Sequence, residues 1–269
     1  MTSSPNWLDR RATAIALMLL AALPLLWPQV PPLIDVIGHM GRYRVETARD
    51  VASLATGFGF EWRLIGNLGI DLLILPLAPL IGVEAGTKLI VMLIPVLTVA
   101  ALLWLSREVH GRVQPHLLFA LPLAYGFPFH FGFINFCLSV ALSLAALALW
   151  IRLGRQDRLR LRAGLFLVIG ALLWVVHMVG WGMLGIGAFG AEFVRLRRAG
   201  RGVVAAGLGA GIACLPLAAA FGLMALVKSE SPQARSWDFF NWGPSSTGCC
   251  RCCATGGAIS TSFRPASSI

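Results

Sequence analysis

Four stretches of this chain contain no Asp, Glu, Lys or Arg: residues 89–105, 117–151, 163–191 and 202–227. A bilayer-spanning helix needs only about 20 apolar residues. Unpaired backbone groups in hydrocarbon cost several kcal/mol each, so stretches of this kind cross a membrane as helices. The remaining composition agrees. The chain is 57% hydrophobic and 13% charged, against roughly a quarter charged in a soluble domain, and its mean hydropathy is +0.77. The sequence therefore reads as an all-α polytopic transmembrane helix bundle.

The net charge of +10 does not point to nucleic acid. The basic residues form short clusters between apolar stretches, with no basic face interleaved with aromatics. That is the pattern of cytoplasmic loops, in which Lys and Arg fix orientation. The N-terminal run "NWLDRRATAIALMLLAALPLLWPQV" places Arg10 and Arg11 before an apolar segment. No clear A-x-A cleavage site follows its apolar run before the Pro-rich exit, so it reads as an uncleaved first span with a cytoplasmic N-terminus, in the inner (plasma) membrane.

Arginine position then chooses between two topologies. If residues 63–83 cross the membrane, the 35 residues of 117–151 cross only once. If 63–83 instead lie at the outer interface or re-enter, 117–151 and 163–193 each form a hairpin. About seven spans result, and thirteen of the 22 basic residues fall on the cytoplasmic side. The positive-inside bias favours the second arrangement. Asn67 and Asp71, spaced i and i+4, are expected to share a helical face on this interfacial element. The cluster Gly180, Gly182, Gly185, Gly187 and Gly190 predicts a tight apex for the second hairpin, with His177 near it and arms of about 15 residues. Gly207 and Gly211, at GxxxG spacing, predict a packing face in the last helix.

The sparse polar groups collect on the outer side in this topology. Asp35, His39 and Arg42 follow the first span in "PPLIDVIGHMGRYRVETARD", whose end also carries Arg49 and Asp50. Asn67 and Asp71 lie on the interfacial segment. His130 lies at the turn of the first hairpin among Phe127, Phe129, Phe131 and Phe133, and His177 at the turn of the second. Asn135, Ser139 and Ser143 form a stripe suited to hydrogen bonding between helices. Ionisable groups at membrane depth mark function by default, a rule that weakens near the interface.

The sequence has no Walker A, H-E-x-x-H or G-x-S-x-G motif and requires no cofactor. Cys249, Cys250, Cys252 and Cys253 crowd into two adjacent pairs with no His after them to complete a zinc site, so no metal site is expected. Residues 1–242 read as one membrane domain. The tail 243–269 has no apolar run and reads as a disordered or aberrant end, standing where a longer membrane domain is expected.

The order of parts resembles the N-terminal half of the GT-C glycosyltransferase superfamily: a basic N-terminus, one span, an external loop with an acid just past it, an interfacial segment, then short-looped helices. It is also similar to bacterial polytopic membrane proteins with a "D…H…R" loop, a "W-x-L-I-x-N-L-x-x-D" stretch (Trp62 to Asp71) and a membrane histidine (His177). The resemblance runs over roughly residues 12–242. It implies a polyprenyl-phosphate-linked sugar as donor and membrane lipid as partner, with Asp35 as general base. It further implies that His39 and Arg42 stabilise the departing phosphate, and that His130 and His177 line the lipid or sugar pocket. Where the superfamily often pairs its acid, Asp35 is followed by Val36. Two other classes fit the same polar groups: a transporter with an outer polar vestibule, and a non-catalytic membrane subunit.

Overall fold

A computed structural model describes residues 7–47, 58 and 60–226. The described residues contain helices and no strand. They belong to one compact unit, residues 1–227, and residues 228–269 form a second. The cysteine-rich tail, Arg49 and Asp50 lie outside the described residues.

The helices are α1 (Arg11–Ala22), extended by a 3₁₀ turn Leu23–Leu25, α2 (Val36–Thr47), α3 (Gly69–Ile81) and α4 (Val83–His110). Then come α5 (Phe127–Phe131), α6 (Ile134–Arg155), α7 (Leu159–Val176) and α8 (Met178–Arg198). Last are α9 (Val203–Cys214), a 3₁₀ turn Leu215–Ala218, and α10 (Ala219–Leu226). Among the described residues four segments are long and apolar enough to cross a membrane: α4, α6, α7 and Val203–Ala225. At 1.5 Å per residue, the 28 residues of α4 extend about 42 Å.

Polar ties sort the helix ends into two groups. Asp9 pairs with Arg107 at 3.7 Å, and its Oδ1 accepts from the Val113 amide at 2.8 Å. Arg155 pairs with Glu108, and Arg162 with Glu192. The start of α1, the ends of α4, α6 and α8, and the start of α7 therefore meet at one end of the bundle. Every arginine from Arg10, Arg11, Arg107 and Arg112 through the clusters at 152–162 and 195–201 lies at or near this basic end. The opposite, polar end holds α2, the start of α6 and the α7–α8 junction.

The outward arm of the first expected hairpin is not a regular helix. Residues 115–125 form two 3₁₀ turns, Pro115–Phe119 and Leu121–Tyr125, followed by the single turn of α5. Pro115, Pro122 and Pro128 each begin a turn. A proline has no N–H to give and clashes with the carbonyl four residues back, so no continuous α-helix forms. At about 2 Å rise per residue this segment still runs the length of the bundle. Leu117, Leu118 and Leu121 pack against the cluster of Leu8, Val99, Leu103 and Val113, and the Tyr125 hydroxyl donates to the Ala21 carbonyl.

The second hairpin turns at His177, not at the glycines. His177 is extended (φ −170°) and is the only residue between α7 and α8. Because one residue makes the turn, the arms have 18 and 21 residues instead of about 15. The glycines lie inside α8, where Gly180 and Gly187 bring that helix against Ser139 and Leu147 of α6, while Gly182, Gly185 and Gly190 face open space. In α9 the buried face is Ala206 and Ala210, with Gly209 against Leu196; a Cβ added at Gly207 or Gly211 would meet nothing within 4 Å. The Ser139 and Ser143 hydroxyls donate to Phe136 and Val140 of their own helix, so only Asn135 of that stripe bonds across helices.

The 63–83 segment departs from a single amphipathic helix. Helix begins only at Gly69, so Asn67 and Asp71 do not share a helical face. Residues 66–68 instead run along the α7–α8 junction: Leu68 N–H donates to the Val175 carbonyl, and Met178 N–H donates to the Gly66 carbonyl. The break at His177 would otherwise leave these helix-end groups unpaired. Helix α3 then folds into α4 through Gly82 alone.

Candidate functional site

The polar end is assembled around the start of α2. The amides of Ile34 and Asp35 donate to the carbonyls of His130 and Phe131 at 3.2 and 3.0 Å. Gly132 makes this approach feasible. It sits at φ +97°, a region that side chains disfavour, and a Cβ there would lie 2.9 Å from the Asp35 nitrogen. Val36, Met40 and Tyr43 point into the core with Ile70, Ile74 and Ile134. His39 stacks on Tyr43, with ring centroids 6.1 Å apart, and the Arg42 guanidinium lies 5.9 Å from the same ring.

Helix α3 places Asp71 in its first turn, where the helix dipole favours an anion. Its side chain is 1% exposed, and its carboxylate is paired with Arg42, itself 39% exposed. Asn135, at the start of α6, caps α3 from outside: its Oδ1 accepts the Ile70 amide at 2.6 Å, and its Nδ2 donates to the Asn67 carbonyl at 3.3 Å. An unmatched N–H at a buried helix start costs about 1–3 kcal/mol, so Asn135 fixes where α3 begins. His177 caps α8 through Nδ1, which accepts the Val179 amide at 3.2 Å. An imidazole accepting at Nδ1 in its neutral form carries its proton on Nε2 and presents a donor there.

These elements enclose a cavity of about 300 Å³ lined by His39, Asn67, Phe133, Ile134, Asn135, Phe136 and His177. The Phe136 ring meets His177 edge-on at 5.8 Å. Two imidazoles and two amides thus face an aromatic wall with no carboxylate in the lining. Among the described residues no three His, Cys, Asp or Glu side chains stand close enough to hold a metal ion. His39 titrates below the ordinary 6.5, chiefly because it is partly buried and then because Arg42 is close; Asp35 and a hydrogen bond with the Gly132 backbone act the other way. Both imidazoles and both amides suit hydrogen-bonding partners such as hydroxyl groups.

The chain matches no family model, no curated protein and no solved structure. Functional assignment therefore rests on the residues themselves.

Of the residues singled out in the sequence, His39, Asn67 and His177 line the cavity. Arg42 and Asp71 form the ion pair beside His39. Asp35 is half-buried one turn before His39, whose amide donates to its carbonyl, and does not line the cavity. His130 is exposed and also outside the lining; its ring lies 6.2 Å from Tyr125 and 6.3 Å from Phe129, within an aromatic cluster. Asn135, Phe133 and Phe136 also line the cavity, although none of them stands out in the sequence as a site residue. The one signal was Asn135 itself, the single amide in 117–151.

The shift of His39 has a measurable consequence. The unfolded chain takes up this proton more readily than the folded one, so stability is intact above about pH 6.5 and falls as pH drops from there toward the lowered folded value. In a plot of unfolding midpoint against pH, His39→Gln is expected to flatten that part of the acid limb. A limb unchanged by the substitution would show that another group sets it.

Proposed function

We propose that this chain is a multi-pass protein of the cell inner membrane, with its basic end cytoplasmic and its polar end at the outer face. In this reading seven segments pass between the faces: α1 with its 3₁₀ extension, α4, residues 115–131, α6, α7, α8 and residues 203–226. Helix α3 lies at the outer interface and α2 outside it. The gathering of thirteen arginines at one end supports the orientation.

The cavity carries the functional reading. Its amides, imidazoles and phenyl faces suit a hydroxyl-rich ring, and together with the GT-C-like order of parts this supports transfer of a sugar from a polyprenyl-phosphate carrier. Asp35 takes the proton of an acceptor hydroxyl as its oxygen attacks the anomeric carbon. The bond from that carbon to the carrier phosphate breaks, and the electron pair leaves on the phosphate. His39 and Arg42 donate hydrogen bonds to it; Arg42, already paired with Asp71, supplies donors more than net charge. Asn67, Asn135 and His177 hold the sugar. One observation favours a second reading, a non-catalytic or transporting sugar-binding protein: Asp35 stands outside the lining.

The test uses the full chain in sealed vesicles with a labelled polyprenyl-phosphate sugar. Orientation is checked by an impermeant thiol probe at Asp35→Cys and His110→Cys. Asp35→Asn is expected to lower transfer by about 10²–10⁴-fold, the usual worth of a general base, with donor binding retained. Equal transfer by wild type and Asp35→Asn overturns the catalytic role. Donor binding with no transfer by wild type selects the second reading.

A further inference from the structure

A different cavity, of about 390 Å³, opens near the basic end between α7, α8 and α9. One wall is apolar, built from Leu159, Ala163, Leu196, Ile212 and Pro216; the charged groups in its lining are Arg162, Arg195, Arg201 and Glu192. Glu192 is 3% exposed and holds two guanidiniums: its Oε2 accepts from Arg162 Nη1 at 2.9 Å, and its Oε1 accepts from Arg195 Nη2 at 2.5 Å. Three cations against one anion leave this small space with a surplus of positive charge.

Arg162 is the unusual member. Its side chain is 5% exposed, and its guanidinium lies 4.1 Å from the centre of the Trp150 ring. Only Nη1 has a hydrogen-bond acceptor among the described residues. A structural ion pair needs one arginine for one carboxylate. The second arginine on Glu192, the third in the lining and the idle Nε and Nη2 donors of a buried guanidinium together describe a site short of one anion. Arginine forks match the oxygens of a phosphate, and the apolar wall beside them fits an acyl chain. Basic pockets between membrane helices at the cytoplasmic side are suited to anionic headgroups.

We propose that this cavity binds the phosphate of an anionic phospholipid, with Arg195, Arg201 and the free edge of Arg162 as its donors and an acyl chain along Leu159, Leu196 and Ile212. This site rests on the membrane reading and is independent of sugar transfer. Carbonate extraction tests the membrane reading by itself: a chain released from the membrane fails there, whatever the lipid result.

The experiment follows thermal unfolding of the full chain in neutral detergent, titrated with phosphatidylglycerol, phosphatidylcholine or inorganic phosphate. Phosphatidylglycerol is expected to raise the midpoint saturably and phosphatidylcholine not to. Arg201, outside the ion pair, provides the informative variant: Arg201→Gln should keep the lipid-free midpoint of wild type and need roughly tenfold more phosphatidylglycerol for the same rise, the loss of about one charge-assisted contact. Arg195→Gln should weaken the response similarly. Equal responses to the two lipids overturn the proposal, as does a phosphatidylglycerol response that survives both substitutions. Inorganic phosphate reproducing the full rise overturns the lipid assignment.

Discussion

Glu192→Leu is expected to lower the unfolding midpoint sharply. It leaves the buried Arg162 guanidinium without its carboxylate, and an uncompensated buried charge costs about 3–5 kcal/mol. Arg195 suffers less, since its side chain is 37% exposed and reaches water. The double variant Arg162→Leu, Glu192→Leu removes both charges of the buried pair. Apolar replacement of such a pair is often neutral or stabilising, so most of the loss should return. Thermal unfolding in detergent, compared across the two singles and the double, measures this. A double variant no better than the sum of the singles would mean that the pair is not what holds α7 to α8.

The second large effect is expected at Gly180. A Cβ there would lie 2.6 Å from both the Cβ and the carbonyl oxygen of Ser139. One of those atoms is backbone and cannot rotate away, so α8 has to move off α6. Overpacking of this kind costs about 1–3 kcal/mol, and Gly180→Val should be worse than Gly180→Ala. At Gly182, two residues along the same helix, an added methyl would have nothing within 4 Å of it. Gly182→Ala should therefore be neutral or stabilising by up to about 1 kcal/mol, since alanine is the better helix former. Opposite signs at 180 and 182 in the same unfolding assay are the expected result; equal effects would mean that helix propensity, not contact, decides both.

The helical class was legible because uncharged stretches of this length have few other structures open to them, and the sorting of helix ends was legible because arginines are easily located. Finer features depended on information that spacing does not carry. In 115–131 the prolines were visible, but only the packing of Leu117 and Leu121 on α4 shows that a 3₁₀ chain can replace a helix there. Five glycines between 180 and 190 read as a turn, because composition does not say which of them meets a neighbour. The break came at His177, where residues 66–68 supply the backbone partners. Helical spacing pairs Asn67 with Asp71, yet Asn135 starts the helix at Gly69 and places them in different surroundings. His39 and His177 stand out in the sequence as sparse polar groups. Asn135 reads in the sequence only as a packing residue, because an amide that caps a foreign helix has the same local sequence as one that joins two helices.

The backbone bonds between residues 66–68 and the α7–α8 junction carry a consequence for biogenesis. Gly66 leaves the ribosome long before Met178, so its carbonyl waits for a partner while α4, α6 and α7 are made. Until the start of α8 arrives, the His177 corner lacks the Met178 and Val179 amide bonds that fix it. The pocket is thus fixed late in synthesis: its last lining residue, His177, is held only once the amides of Met178 and Val179 are in place.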